Sequence, residues 1–320
     1  MKKNIWLDGI MGVLVGDALG VPVQFLEREE IRKNPVTKMI GYGSFLMPPG
    51  AWSDDGSMTL ATLDSICQKK GIDYDDIMER FIAWNFDDQY TPTGKAYDQG
   101  MTCLEAIYDY YHKRDYKTCG KTGEYANGNG GLMRIMPVCL YAYVQHKNGK
   151  ISIDEALDYV HQSTALTHNH IRAKMASGIY FFMVKMILDA DGSLKERLQM
   201  AMDEADAYYR KDISNLTEWI HYNRLFDINE FANEQEKTIK SSGYVVDSLE
   251  AAVWSLITTE SLEETLLKAV NLGDDADTVA AIAGGLAGLF YGYEQVPEQW
   301  KMELIREDEL VEMCFLNSSI

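Results

Sequence analysis

Several classes of protein are disfavoured by what this sequence has little of. Seven prolines in 320 residues leave little room for proline-rich segments, and the five cysteines are odd in number and form no Cys-x-x-Cys pair. Neither a disulfide framework nor a zinc knuckle is indicated, so a reducing cytoplasm is the expected location. Basic residues are scarce, since 30 Lys and Arg stand against 49 Asp and Glu, a formal net charge of −19. Nucleic acid and anionic membranes are therefore disfavoured as partners, and an anionic ligand would need local cations or backbone N–H groups.

Long uncharged apolar runs are also lacking. Asp8 and Asp17 interrupt the apolar N-terminal segment, and no Ala-x-Ala cleavage site follows it. No other segment approaches the roughly 18 to 20 uncharged residues that a membrane span needs. We therefore expect a protein that is not secreted and has no membrane partner.

Apolar residues recur mostly at helical spacing. Residues 77–84, 104–111 and 249–256 read as amphipathic helices with polar opposite faces. Alternating β-branched segments are hard to find beyond short extended pieces near residues 40–45, and no repeat of fixed period is visible. The pattern predicts an all-α fold.

Two polar stretches interrupt the helical pattern. Residues 113–131 are rich in turn formers and are expected to form a long surface loop. Residues 189–242 carry many charges and are expected to be a peripheral polar insertion built from helices. Helical patterning resumes on both sides of each stretch, so neither is expected to be a domain linker.

Two stripes of small residues mark helices that need a close neighbour. Glycine inside a helix costs about 1 kcal/mol relative to alanine, so such stripes require a reason, and close approach of another backbone is the natural one. The stripes are Gly12, Gly16 and Gly20 in the first helix, and Ala280, Gly284, Gly288 and Gly292 near the C-terminus.

The first acidic cluster, Ser53, Asp54 and Asp55, precedes an apolar-periodic run. Ser and Asp are common helix N-caps, but a cap accounts for one of the three residues. Two adjacent carboxylates and a hydroxyl are also the all-oxygen surroundings that Mg²⁺, Mn²⁺ and Ca²⁺ prefer.

The second acidic cluster contains Asp274, Asp275, Asp277 and Thr278, directly before the C-terminal small-residue stripe. Acidic residues at a helix start complement the macrodipole, which is one interpretation. Alternatively, if the backbone is still turn-like after Gly273, Asp275 and Asp277 converge as a second metal half-site.

The order of short motifs resembles the ADP-ribosylglycohydrolase family over almost the whole chain. Each motif is weak alone, whereas seven in family order are specific. They are Gly16–Pro22, Ser53–Asp55, Tyr97–Gly100, Asn127–Arg134, Thr167–His168, Ser242–Tyr244 and Asp275–Thr278.

The resemblance implies one all-helical domain over residues 1–320, with two divalent ions, Mg²⁺ or Mn²⁺, in a cleft. Such an enzyme cleaves the glycosidic bond between ADP-ribose and an acceptor. The metal ligands that it implies are Ser53, Asp54, Asp55, Asp275, Asp277 and Thr278. Asp98 and Asp55 are the implied catalytic carboxylates, although Asp98 could instead cap the helix that follows it.

One departure from the family pattern affects the chemistry. Gln24 stands where several family members place a glutamate, and an amide cannot act as a carboxylate base. We expect Gln24 to contact substrate, with chemistry that is altered or centred on Asp98.

The resemblance also implies a substrate-binding set. Glycines in the Asn127–Arg134 loop would let backbone N–H groups approach a diphosphate. Arg134 is expected to contact substrate or brace the loop, and His168 to contact substrate or support the cleft. The full set comprises Gln24, Asn129, Gly130, Gly131, Met133, Arg134, His168, Ser242, Gly243 and Tyr244.

The functional expectation is a hydrolase that releases ADP-ribose from an ADP-ribosylated protein or small conjugate, with ADP-ribosyl-arginine as the default acceptor. One alternative is a weak or inactive homologue that only binds ADP-ribose. Another is a metal hydrolase of a different ribosyl or phosphoester substrate. No oligomerisation stripe is apparent, so a monomer is expected.

Overall fold

The structure, a computed structural model, describes residues 4–316, and within them the chain forms α-helices and short 3₁₀ turns with no β-strand. The predicted all-α fold is confirmed, and the pieces expected to be extended near residues 40–45 are irregular loop. The helices are α1 (Ile5–Gly20), α2 (Arg28–Ile31), α3 (Asp54–Lys69), α4 (Tyr74–Asp87), α5 (Met101–Lys113), α6 (Tyr116–Cys119), α7 (Met136–Lys147), α8 (Ile153–Ala165), α9 (Ile171–Asp189), α10 (Leu194–Tyr209), α11 (Leu216–Trp219), α12 (Ile228–Phe231), α13 (Val245–Ile257), α14 (Leu262–Val270), α15 (Ala276–Tyr291), α16 (Glu298–Glu303) and α17 (Glu307–Leu316).

Helices α1 and α15 form the centre of the fold, and the two small-residue stripes pack against each other. A Cβ atom added to Gly12 would lie 2.1 Å from the carbonyl oxygen of Gly284, and one added to Gly16 would lie 2.1 Å from that of Ala280. The predicted close approach of backbones is therefore confirmed. Gly292 has a different role, because it ends α15 with a φ of 92°.

The remaining long helices surround this pair. Helices α9, α13 and α14 pack on α15, while α3 and α7 pack on α1. Residues Ile5–Val23 are long and apolar enough to cross a membrane, but 89% of that window is buried inside the protein. The apolar composition of α1 is thus accounted for by its central position in the core.

A second, smaller core lies between α3, α4 and α5. Its buried side chains include Met58, Phe81, Trp84 and Ile107. The loop between α4 and α5 rests on this layer. It places Asp98 near the N-terminal end of α3.

The two polar stretches differ from each other in burial. The expectation of a surface loop over residues 113–131 was wrong for part of the stretch, because Cys119 lies in the small core and Asn127 and Asn129 are buried. Residues 189–242 contain α10 to α12, and the side chains of Trp219 and Tyr222 in this stretch pack in the main core. Whether that segment is an insertion stays a prediction.

Candidate functional site

The N-terminal ends of α3 and α15 meet beside α1. Because α1 packs against both helices, the two acidic clusters lie together in space. The hydroxyls of Ser53 and Thr278 donate to Asp55 Oδ2, at 3.2 and 3.3 Å. Asp17, Asp55 and Asp277 each offer one carboxylate oxygen within 4.8 Å of the others.

Helix capping accounts for the position of Ser53 but not for the other residues of the two acidic clusters. The Ser53 side chain accepts a hydrogen bond from the Asp55 N–H, as an N-cap does. Asp275 makes no such cap bond. Its carboxylate accepts instead from Asn129 Nδ2 at 2.6 Å and from Gln24 Nε2 at 3.4 Å, so it belongs to a network that faces the cavity. Asp274, by contrast, is exposed.

Asp17 is a site residue that the sequence analysis did not identify. It is fully buried and accepts hydrogen bonds from the backbone N–H groups of Ser53 and Gly56, at 2.8 to 3.0 Å. These bonds fix the first turn of α3 against α1. The available signal was that Asp17 is one of only two charged residues, with Asp8, in an otherwise apolar, glycine-striped helix.

Asp98 lies at the edge of the same cluster and does not cap α5. The N-cap position of that helix is Gly100, which has no side-chain cap bond. Asp98 has a left-handed backbone, with a φ of 57°, and its Oδ2 atom is buried without a hydrogen-bond partner. Next to it, the Tyr97 hydroxyl donates to the Trp52 carbonyl at 2.7 Å and holds this loop beside α3.

The cluster is electrostatically unusual, because five buried carboxylates and the half-buried one of Asp98 lie close together. Burial raises the pKa of Asp17 to about 7 and that of Asp98 to about 6. Burial, followed by repulsion from neighbouring carboxylates, raises the pKa of Asp54, Asp55 and Asp277 well above the usual value. We call Asp17, Asp54, Asp55, Asp98, Asp275 and Asp277 the carboxylate cluster.

The donor set of this cluster fits hard divalent cations. Within residues 4–316 none of the six carboxylates forms an ion pair with a lysine or arginine. Asp55 Oδ1 and Asp277 Oδ2 are buried without any hydrogen-bond partner. Unpaired buried carboxylate oxygens are costly unless a cation compensates them, and Mg²⁺ and Mn²⁺ prefer such oxygen ligands.

A cavity of about 230 Å³ opens above the carboxylate cluster. A larger cavity of about 580 Å³ lies between residues 88–94 and α17, but no member of the cluster lines it. The cavity at the cluster is lined by Gln24, Phe25, Asp54, Asp98, Gly100, Met101, Thr102, Cys103, Gly128, Asn129, Gly130, Met133, His168, Asp275 and Thr278.

Five residues predicted to bind substrate lie in this lining, and Phe25, Met101, Thr102 and Cys103 are additions that the sequence analysis missed. The predicted residues are Gln24, Asn129, Gly130, Met133 and His168. The additions carry no conspicuous chemical signal, because they are apolar or small side chains whose position depends on loops that meet only in the folded chain.

Other predicted substrate residues lie behind the lining. The side chain of Arg134 is wholly buried and donates to the Ser163 carbonyl and the Thr167 hydroxyl, so of its two expected roles, substrate contact is wrong and bracing is correct. Gly131 packs against Thr164, where an added Cβ would lie 2.7 Å from Thr164 Cγ2. The structure thus shows Gly131 as a close packing position, and its contact with substrate stays a prediction.

The segment of Ser242, Gly243 and Tyr244 supports the glycine loop from outside. The Asn129 N–H donates to the Gly243 carbonyl at 3.0 Å. Ser242 donates to Asp247, and the Tyr244 hydroxyl accepts from Arg172. The lining contains none of these three residues, and what the structure shows for them is support of the loop. Their contact with substrate stays a prediction.

Comparison with known proteins identifies the class of enzyme. The sequence matches the model of the ADP-ribosylglycohydrolase family from residue 4 to residue 318. A solved structure described as an ADP-ribosylglycohydrolase-related protein complex superposes with a TM-score of 0.79 at 28% identity, covering 99% of this chain and 97% of that chain. The chain is a hydrolase and belongs to the ADP-ribosylglycohydrolase family.

Curated relatives with named activities align over most of this chain. ADP-ribosylarginine hydrolase Tri1 of Serratia proteamaculans is 27% identical over 94% of this chain and 75% of its own length. ADP-ribosyl-(dinitrogen reductase) glycohydrolase of Rhodospirillum rubrum is 29% identical over 93% of this chain and 89% of its own length. Human ADP-ribosylhydrolase ARH3 is 25% identical, over 91% and 86% respectively.

Proposed function

We propose that this hydrolase is metal-dependent and releases ADP-ribose from ADP-ribosylated arginine on a protein. The observation that carries the proposal is the carboxylate cluster, in which Asp55 Oδ1 and Asp277 Oδ2 are buried without partners or neighbouring basic groups. The choice of arginine rests on the similarity to hydrolases named for ADP-ribosylarginine.

Two divalent ions, Mg²⁺ or Mn²⁺, are the cofactors of this proposal. Their ligands are Ser53, Asp54, Asp55, Asp275, Asp277 and Thr278. Bound there, the ions supply positive charge and Lewis acidity next to the ribose. Asp17 orients the start of α3 through the Ser53 and Gly56 N–H groups and so sets the direction of the ligands that follow. Asp55, which was also predicted to be catalytic, is assigned to the ligand set.

Asp98 is the proposed general base. Its unpartnered Oδ2 atom lies at the cavity edge and is free to accept a proton from a water molecule. As that water oxygen bonds to the anomeric carbon of the ribose, the bond from that carbon to the arginine nitrogen breaks. The nitrogen leaves with the electron pair and takes up a proton from solvent, while Asp98 returns to solvent the proton that it took from the water, which releases the arginine side chain and free ADP-ribose.

The other side of the cavity is suited to the rest of the ligand. Gly128 and Gly130 leave room for a diphosphate to approach the backbone, and Asn129 ties this loop to Asp275 through its side chain. Gln24, Met133 and His168 complete the proposed contacts. An ADP-ribosylated protein, or a small conjugate, is the proposed partner.

The test is release of ADP-ribose by the purified chain. Proteins carrying ADP-ribose on arginine or on serine, and a small ADP-ribosyl conjugate, would be compared after chelation and after addition of Mg²⁺ or Mn²⁺. We expect turnover of the arginine conjugate with metal and loss of at least about 100-fold without it. A folded, metal-loaded protein that is inert on every conjugate would contradict the proposal.

Gln24 favours a second candidate, an ADP-ribose-binding homologue with little turnover. The Gln24 amide lies in the cavity and donates to Asp275, while its Oε1 atom is buried without a partner, and it cannot act as a base. Tight ADP-ribose binding without product would favour this candidate. A gain of turnover in Gln24→Glu would then locate the cause, whereas wild-type turnover abolished by Asp98→Asn would favour the enzyme.

A further inference from the structure

The cavity has one buried cation behind it, the guanidinium of Arg134. Its side chain has no exposed surface and, within residues 4–316, no carboxylate partner. Burial lowers its pKa to about 10, so it remains charged at neutral pH. Its Nη2 donates to the Ser163 carbonyl at 3.1 Å and to Thr167 Oγ1 at 2.9 Å, whereas Nε and Nη1 have no hydrogen-bond partner.

The hydrogen bonds of Arg134 bear on the direction of the hydrogen bond between Thr167 and His168. A guanidinium can only donate, so Thr167 Oγ1 accepts from it. The Thr167 oxygen lies 2.9 Å from His168 Nδ1. Its hydroxyl hydrogen is therefore available to His168 Nδ1, and when it points there Nδ1 accepts it. The competing acceptor is the Cys103 thiol, whose sulfur accepts hydrogen bonds weakly.

His168 is held neutral in this arrangement. Burial, and then the charge of Arg134, lower the pKa of the imidazole to about 3. A neutral imidazole whose Nδ1 accepts must carry its hydrogen on Nε2. That atom faces Gly128 in the lining of the cavity, because a Cβ atom added to Gly128 would lie 3.2 Å from it.

We propose that Arg134 and Thr167 are positioning residues that hold His168 as the neutral Nε2–H tautomer, so that it presents a hydrogen-bond donor to an anionic oxygen of the ligand. A chain with a net charge of −19 and a carboxylate cluster in the same cavity has to provide positive potential locally for such an oxygen. The fixed N–H and the buried guanidinium behind it provide that potential. The identification of this oxygen as part of the diphosphate of ADP-ribose rests on the proposed function, whereas the assignment of the tautomer does not.

The tautomer is read directly by nitrogen NMR of the full chain labelled at histidine. Six histidines are present, so His168 is assigned by the resonances that disappear in His168→Gln. We expect the protonated nitrogen of His168 to be Nε2 in the wild type. In Thr167→Val, which removes the hydroxyl, we expect mixed tautomers, and in the conservative Thr167→Ser we expect the wild-type pattern. A wild-type Nδ1–H tautomer, or a Thr167→Val pattern identical to wild type, overturns the proposal.

Binding of ADP-ribose gives the second readout. Thr167→Val should weaken binding about tenfold, the cost of one misdirected hydrogen bond, and Thr167→Ser should restore it. Thr62→Val is the control, because Thr62 is equally buried but its hydroxyl bonds only within α3. Equal loss of binding in Thr62→Val and Thr167→Val would overturn the positioning role. An Nε2–H tautomer in a wild type that does not bind ADP-ribose contradicts the choice of ligand and the proposed function, but leaves the tautomer assignment standing.

Discussion

The two sides of the cavity are built on opposite electrostatic principles. One side is the carboxylate cluster at the ends of α1, α3 and α15, where acids are buried without basic partners. The other side, which we call the glycine side, consists of Gly128, Asn129, Gly130 and His168, with Arg134 behind them. With the proposed cations on one side and the proposed hydrogen-bond donor on the other, such a cavity would suit a ligand with a neutral sugar next to a diphosphate.

Removing one acid from the carboxylate cluster should give the largest effect. Asp277→Asn keeps the side-chain volume but removes a charge from a group with an unpartnered oxygen. We expect activity to fall by more than about 100-fold. Added Mg²⁺ or Mn²⁺ should no longer raise the unfolding temperature, although the metal-free variant should be at least as stable as metal-free wild type.

Calorimetry or fluorescence melts with and without chelator check this prediction. Asp203→Asn is the matched control, since Asp203 is an exposed acid on α10. If the Asp277→Asn protein keeps a wild-type response to metal, the carboxylate cluster is not the cation-binding side.

The packing of α1 on α15 is what holds the carboxylate cluster together, and it can be tested separately. In Gly16→Ala the new Cβ would lie 2.1 Å from the Ala280 carbonyl oxygen, and neither backbone has room to move. Although alanine favours helix, we expect a loss of about 3 kcal/mol or more in the free energy of unfolding. Chemical denaturation measures it.

Gly123→Ala is the control for this substitution. A Cβ at Gly123 meets nothing within 4 Å, and its φ of −73° suits alanine. A Gly16→Ala variant as stable as Gly123→Ala would show that the helices are not in backbone contact.

On the glycine side, Gly130→Ala should weaken the binding of ADP-ribose and leave the binding of metal unchanged. Its Cβ would lie 2.8 Å from both Cys103 Sγ and His168 Cε1, so these two side chains, which line the cavity, would have to shift. We expect ADP-ribose affinity to fall roughly tenfold while metal-induced stabilisation stays at the wild-type level. Titration calorimetry with each ligand separates the two. Loss of both together would mean that the sides are not independent.

The sequence predicted the features of the site that rest on local signals better than those that rest on long-range contacts. Two acidic motifs and two glycine stripes are readable because each is contiguous or periodic along the chain. Asp17 was missed because its partners, the N–H groups of Ser53 and Gly56, come from another helix. Arg134 was assigned partly to substrate because a cation beside a glycine loop gives no sign that it turns inward to Thr167.

The smallest predicted effect lies outside both sides and gives a baseline for pH experiments on them. His161 is partly buried and its Nε2 lies 2.7 Å from the Tyr209 hydroxyl. Burial, and then the charge of Lys174, lower its pKa to about 4. Because the folded protein holds this histidine neutral while the unfolded chain binds a proton near pH 6.5, its stabilising contribution is present above that pH and is lost as the pH falls towards 4.

The wild type should therefore lose stability relative to His161→Gln on acidification, by about 1 kcal/mol between pH 7 and pH 5 once partial solvent exposure is allowed for. Denaturant melts of both proteins in chelator measure the difference, and subtracting them removes the contribution of the carboxylate cluster. That contribution has the opposite sign, because a raised carboxyl pKa, such as that of Asp17, costs stability as the pH rises. His221→Gln, on an exposed side chain, is the matched control for the substitution. Parallel curves for wild type and His161→Gln would show that His161 does not titrate differently in the folded and unfolded chain. Any acid-induced loss of stability would then come from other groups, such as His168 or ion-paired carboxylates with a lowered pKa like Asp76 and Asp189.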